Sequence, residues 1–383
     1  MYDGDDEMND YDAHFRLDPA FHHLNHAAVA PWPARTVDAV TAFAMENGRI
    51  GSFEYDRWLD TEQRLRTRLQ RLIGARGTDE IALLKNTSEG LSFIAQGIDW
   101  RPGDNVVITD QEFPSNRIVW EALAAHGVET RPVPLTGEDP EAAILSAVDS
   151  RTRLVSVSSV QYATGLRLDL QRIGRACEQR GVLFCIDAIQ SLGAEPFDVR
   201  RYRADFVVAD GHKWMLGPEG VALFYCRREL IPRLRLSEYG WHMTDHPGDF
   251  DRTDWRPAPD ARRFECGSPN LLGIHALEAS LSLIEEIGLE TIRAEILARV
   301  HRLHKALAAL ADYEILTPMQ PERHLGIFTF RPRRVPSERL YRRLRQAGVF
   351  CALRGGGIRL SPHFHTRRED LDAVIQVLQN PEG

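Results

Sequence analysis

From about Ile81 to Tyr225, short apolar, β-branched runs alternate with amphipathic helical patterns, and this alternation constrains the fold more than any other feature of the chain. The strand-like runs are Ile81–Leu84, Val106–Thr109, Leu154–Ser158, Val182–Ile186, Phe206–Ala209 and Val221–Tyr225. Between several of them lie helical stretches such as Ile118–His126 and Leu170–Arg180, closed by Gly127 and Gly181. A strand, helix, strand order at this spacing predicts an α/β domain whose mostly parallel sheet is covered by helices on both faces. Ligands of such sheets gather at the carboxyl ends of the strands, so polar residues there are the candidates for function.

The flanks are different. Tyr55–Ile73 carries Leu65, Leu69 and Leu72 on one stripe and ends at Gly74, which predicts a long helix. Gly240–Arg263 is rich in Pro, Asp and Trp without periodicity and reads as a long loop. Two helical patterns follow, Leu271–Ile287 and Leu289–Leu310. The remainder alternates Glu314–Leu316, Leu325–Phe330, a helix near Ser337–Ala347, then Val349–Leu353, Gly357–Ser361 and a last helix from Arg368. This predicts an acidic tail over 1–20, a large domain over 21–260 and a smaller α+β domain over 261–383. A chain of 383 residues with 43% apolar content can bury such cores, which excludes disorder as its main state.

Net charge is −8, which argues against a nucleic acid or an anionic membrane as partner. The longest stretch without Asp, Glu, Lys or Arg is Pro19–Ala34, 16 residues broken by three prolines, too short for a membrane span. The start is acidic up to Arg16 and lacks the pattern of a secretory signal, so a cytoplasmic protein is expected. Cys177, Cys185, Cys226, Cys266 and Cys351 form no CxxC and no cluster with histidine, so neither a disulfide framework nor a metal site is expected.

The 47 basic residues include only three lysines, Lys85, Lys213 and Lys305, so chemistry that needs a primary amine has three candidates. Lys305 falls off the apolar stripe of its helix and reads as solvated; Lys85 ends a strand and reads as a surface lysine. Lys213 sits in Asp210-Gly-His-Lys213, after an apolar strand and before Trp214 and Met215. Desolvation there would favour the neutral amine, a nucleophile able to form a Schiff base with a carbonyl; a purely structural role is equally open. Asp187, at the end of the run Val182–Ile186, either caps the next helix or supplies an anion to a protonated pyridine nitrogen. Lys85-Asn-Thr-Ser-Glu-Gly90 opens a helix, where Thr87 and Ser88 either cap it or hold a phosphate. Neither a Walker GxxxxGK[ST] loop nor a GxGxxG fingerprint is present.

Taken in order, these segments resemble the class V aminotransferase group of fold-type I pyridoxal phosphate enzymes, which includes cysteine desulfurases, selenocysteine lyases, kynureninases and isopenicillin epimerase-like proteins. The resemblance runs through Leu24-Asn-His-Ala-Ala28, Asn86-Thr-Ser-Glu-Gly90, Glu112-Phe-Pro-Ser-Asn116, Asp187-Ala-Ile-Gln190, Asp210-Gly-His-Lys213, Gly267-Ser-Pro-Asn270 and Gly357-Ile-Arg-Leu-Ser361. It implies a seven-stranded-type sheet, a pyridoxal 5'-phosphate cofactor bonded to Lys213, and an amino acid substrate. It further implies Asp187 as the pyridinium partner, Gln190 as the contact to the ring hydroxyl, and Thr87, Ser88 and His212 at the phosphate. Ser268 would reach the phosphate from a second subunit, implying a homodimer. Arg359 matches the anchor of the substrate α-carboxylate, a task suited to a bidentate guanidinium.

Three departures stand out. The frequent ring-stacking histidine of the family is here Phe113, which can stack on the ring but cannot shuttle protons. Asp210 stands where desulfurases have serine, and its carboxylate would repel a phosphate dianion unless it turns away or pairs with an arginine. The loop that carries the desulfurase nucleophilic cysteine is reduced to Gly355-Gly-Gly357, and Cys351, in a strand-like run, reads as a buried thiol. A persulfide relay is therefore disfavoured, whereas lyase chemistry that needs no enzyme thiol is not; transamination is the expected reaction, with carbon–sulfur lysis and epimerisation as alternatives. A non-catalytic protein that keeps only the fold is the alternative of a different class.

Overall fold

The computed structural model describes residues 11–379. His22–His23 (β1) is followed by helices Ala34–Ile50 (α1) and Tyr55–Leu72 (α2). Then come strands Ile81–Leu84 (β2), Asn105–Thr109 (β3), Glu129–Val133 (β4), Thr152–Ser158 (β5), Leu183–Asp187 (β6), Phe206–Asp210 (β7) and Ala222–Cys226 (β8). They form one seven-stranded sheet in the order β2-β8-β7-β6-β5-β3-β4. Every neighbouring pair is parallel except those of β8, which runs antiparallel to β2 and β7. Strands β3, β7 and β8 are buried along their whole length, as strands covered on both faces must be. The mostly parallel α/β sheet is the expected one.

The helix Leu170–Arg180 follows the sequence expectation to the residue, capped by Asp169 and closed by Gly181 in the left-handed conformation. The expected helix over Ile118–His126 instead divides into Ser115–Glu121 and a tighter turn over Ala122–His126. Strands β1 and β4, helix α1 and a short helix over Pro140–Ser146 were not foreseen. Strand β4 contains Pro132 and is largely exposed, which an edge position allows. Helix α1 buries Thr36 alone, so its sequence carries little apolar stripe.

Beyond the long loop lie strands Tyr313–Ile315 (β9), Phe328–Pro332 (β10), Val349–Phe350 (β11), Ala352–Arg354 (β12) and Gly357–Leu360 (β13). The last two, with β10 and β9, make a four-stranded antiparallel sheet in the order β12-β13-β10-β9. The run expected as one strand over Val349–Leu353 is divided at Cys351, because Val349 and Phe350 pair instead with His22 and His23 of β1. Residues 1–10 of the stretch expected as a tail lie outside the described residues. Within the rest of that stretch Phe15 is buried and stacks on His365 at 3.7 Å, because its ring completes an apolar contact that water cannot. Among the described residues, no helix is long and apolar enough to cross a membrane.

Candidate active site

Parallel strands deliver their last residues to one edge of the sheet. Asp187 ends β6, Asp210 ends β7, and Lys213 follows three residues later, all of them buried. Register places Asp187 beside Val208. Burial lowers the Lys213 ammonium pKa, with Arg359 and Arg354 acting in the same direction against Asp187 and Asp210. Burial likewise raises Asp187, where an amide hydrogen bond from Ile189 pulls it back and Glu112 adds like charge. Before a ligand arrives, the low dielectric thus drives both groups toward their neutral forms.

Helix Thr87–Gly97 (α3) begins beside them. Its cap is Asn86, whose side chain accepts from Glu89 N at 2.9 Å, so neither Thr87 nor Ser88 serves as the cap. Thr87 Oγ1 instead accepts from Asp210 N at 3.1 Å, tying the helix start to the end of β7, and Ser88 Oγ donates to Ser115. The helix N-terminus, with two hydroxyls and free amides, is a place for an anion. His212 stands at the same point with Nδ1 buried and unpartnered, and burial lowers its pKa to about 4. Asp210 Oδ1 is also buried without a partner, and burial raises its carboxyl to about 6.

Phe113, 40% exposed, forms the opposite wall: its ring centroid is 5.6 Å from Lys213 Nζ and it meets Tyr162 edge-on at 5.2 Å. Arg359, on β13, is 2% exposed, donates to Tyr162 O at 2.8 Å and approaches Asn25 Oδ1 at 3.4 Å, while its Nε has no partner. Burial, then Arg354, lowers its pKa to about 10. Gln190 lies beneath, donating to Ala27 O at 3.1 Å and accepting from Trp214 Nε1 at 2.9 Å.

Ser268 is the one expected residue that the chain does not bring to Lys213. It lines a separate cavity of about 110 Å³ with Lys85, His242 and Cys266. Asn270, not Ser268, caps the helix that follows. Near this cavity Arg66 donates to Glu62 at 2.7 Å and Glu265 at 2.6 Å, supplying the positive charge these buried carboxylates need.

Sequence reasoning missed Glu112, Asn25 and Tyr162. Glu112 is buried and accepts from Thr109 Oγ1, Asn116 Nδ2, Ser158 N, Ser158 Oγ and Gln161 Nε2, so it fixes the turn that presents Phe113. Its pairing with Asn116 at i and i+4 around Phe113 was a readable signal. Asn25 lies in the segment Leu24-Asn-His-Ala-Ala28 that carries the resemblance, though no role was assigned to it, and Tyr162 carried no signal.

The residues fit pyridoxal phosphate. A desolvated amine, a buried acid, an aromatic wall and an anion cradle are combined; the buried, unpartnered Arg359 Nε is a donor, and so is the unpartnered His212 Nδ1 in the tautomer that carries its proton there. Asp210 is the discordant group, since no arginine pairs with it among the described residues.

The family model described as Aminotransferase class-V matches residues 22–374. A probable cysteine desulfurase of Methanothermobacter thermautotrophicus is 29% identical, with 94% of each chain covered. A cysteine desulfurase of Escherichia coli is 30% identical over 80% of this chain and 77% of its own. Among solved structures, a C-DES mutant with glycine covalently linked to its PLP cofactor superposes with a TM-score of 0.87 at 24% identity, covering 94% of this chain and 96% of its own. The apo cysteine desulfurase of Thermococcus onnurineus does so with 0.84 at 23% identity, covering 94% of each. The two structural likenesses concern the fold.

Proposed function

This chain belongs to the class-V aminotransferase family and is a pyridoxal phosphate-dependent enzyme; from that premise we propose that it is a carbon–sulfur lyase acting on cysteine or a cysteine conjugate without an enzyme-borne sulfur carrier. The cysteine desulfurase relatives support the bond cleaved. One observation carries the second half. Gly355 and Gly356, both in the left-handed region, close β12 and β13 as a two-residue turn, which leaves no loop to bear a thiol. Cys351 is buried, and burial raises its thiol to about 12, so it stays protonated.

When bound, pyridoxal phosphate supplies the electron sink that stabilises charge at the substrate's α-carbon. Lys213, Asp187, Gln190, Thr87, Ser88, His212 and Phe113 would hold it, with Ser268 of a second subunit. Arg359 binds the α-carboxylate through its guanidinium N–H groups, the unpartnered Nε among them, and fixes the substrate's orientation. Lys213 Nζ, whose pKa burial lowers to about 8, takes the α-proton in its neutral form. Phe113 and Tyr162 line that side of the cleft. The Cβ–S bond then breaks with its electron pair leaving on sulfur, and a proton makes the thiol. With one water taken up, the products are thiol, pyruvate and ammonium.

Transamination is the second reading, because an active site without a carrier thiol suits it equally. Incubation of the holoenzyme with cysteine, cystine and S-substituted cysteines, with and without 2-oxoglutarate, separates them. Pyruvate and a sulfur product without an acceptor are expected; keto acid formed only with the acceptor overturns the lyase reading.

A further inference from the structure

Arg359 accounts for one negative group on an amino acid substrate, yet the cleft presents a second guanidinium. In the β12–β13 hairpin Ala352 pairs with Arg359 and Arg354 pairs with Gly357. Residues two apart on a strand share a face, so Arg354 lies on the same face as Ala352 and Arg359. Gly357, opposite Arg354, has no side chain, and a Cβ there would meet Phe330 O at 2.3 Å. The Phe330 backbone therefore fills the place of a side chain at Gly357, and Arg354 has no cross-strand side chain opposite it.

That face looks onto the wall of the cleft. Arg359 donates to Tyr162 O, Thr329 Oγ1 donates to Ala163 O at 2.6 Å, and a Cβ on Gly355 would stand 3.4 Å from Ala163 Cβ. The hairpin tip is thereby held over the segment that packs against Phe113, whose ring faces Lys213. Arg354 is exposed, donates to Leu353 O at 2.7 Å, and meets no carboxylate among the described residues. Its charge acts on both Lys213 and Arg359, lowering each. Two guanidiniums on one face with a single substrate carboxylate between them leave one positive charge uncompensated.

We propose that Arg354 binds a second anionic group at the far end of the substrate's sulfur substituent, so that the enzyme selects cysteine conjugates whose side chain ends in a carboxylate or a similar acid. This rests on the lyase reading above and names its substrate class. Arg354 is exposed at the hairpin tip, whereas Arg359 is buried and serves the α-carboxylate. Exposure screens the interaction, so it sets preference among substrates while the chemistry stays with Lys213.

The test compares S-carboxymethylcysteine with S-carbamoylmethylcysteine, which match in size and differ in charge. Their dissociation constants are read on the holoenzyme from the change in the cofactor's absorbance, and thiol and pyruvate are assayed in parallel. The acid should bind about five- to tenfold tighter than the amide, a preference that shrinks at high salt. Arg354→Gln should abolish it and Arg354→Lys should restore part of it, in variants that retain the cofactor band. Equal binding by the wild type, or a preference that survives in Arg354→Gln, overturns the assignment. A preference that follows Arg354 with no thiol released from either compound upholds the assignment and sinks the lyase reading. Elimination from both compounds with equal binding does the reverse.

Discussion

Asp210 Oδ2 stands 4.0 Å from His212 Nδ1 at the end of β7, and Asp210 Oδ1 and His212 Nδ1 are both buried without a hydrogen-bond partner. Burial raises the carboxyl to about 6, Thr87 and Lys213 pull it back, and Glu219 adds like charge. A phosphate dianion at the start of α3 adds more like charge and raises it further. Cofactor binding above that pH must therefore take up a proton at Asp210. Affinity for pyridoxal phosphate should fall as pH rises from about 6 to 8, by up to about tenfold per pH unit. Asp210→Asn should bind more tightly at the upper end and lose the dependence. Equilibrium dialysis across this range decides it, and a wild-type affinity that does not change with pH refutes the idea.

Arg359→Lys should spare the cofactor and damage substrate use. The buried guanidinium is held by Tyr162 O and Asn25, and an ammonium cannot keep both contacts while meeting a carboxylate in bidentate fashion. A charge-assisted hydrogen bond is worth about 1.5–3 kcal/mol, so kcat/KM should fall by about ten- to a hundredfold. Steady-state kinetics beside the cofactor absorbance measures both. Unchanged kcat/KM with intact absorbance would mean another group holds the α-carboxylate.

The candidate residues readable in the sequence were those delivered by the sheet. Asp187, Asp210 and Lys213 end or follow apolar runs, and Thr87 and Ser88 open a helix behind another such run, so local pattern and site position coincide. Asn25 and Tyr162 meet Arg359 only through tertiary contact, across more than a hundred residues of chain, and no local pattern announces them. The same holds for β1 and β11, two residues each, whose pairing is set by the packing of distant segments. Strand β4 escaped notice because a half-exposed edge containing proline lacks the apolar run that marked its neighbours.

A second pH effect concerns stability. His26, His363 and His365 are buried and His23 is half-buried; desolvation lowers His23 to about 4 and His363 to about 3, with His26 and His365 also depressed. His26 Nδ1 donates to Ser361 O and His363 Nε2 to Trp214 O, which fixes neutral tautomers. The unfolded chain takes up protons on these rings below about 6.5 while the folded chain does not. Their contribution is therefore complete above that value and is lost as pH falls through the window toward the folded pKa values. His363 alone should cost on the order of a few kcal/mol by the bottom of that window. Urea unfolding followed from pH 7 to about 4.5 should show a steep loss of midpoint. An unfolding midpoint constant over that range would show that the cluster is protonated, or not formed, in the folded protein.

The position of Ser268 carries the last expectation. Within one chain its cavity contains Lys85, His242 and Cys266 and not Lys213. If Ser268 serves the phosphate of a second subunit, Lys213→Ala and Ser268→Asp proteins are each inactive for reasons that lie on different chains. A mixed dimer then holds one site with both residues intact and one with neither. Random exchange of equal amounts should restore about a quarter of the wild-type activity per site, since half the dimers are mixed and each has one working site. Exposed Met45 and Phe53 and half-exposed Leu272 supply apolar surface for such an association. Exchange is first verified by mass spectrometry of differently tagged chains. Mixed dimers that form, keep cofactor and stay wholly inactive would place Ser268 outside the partner's site.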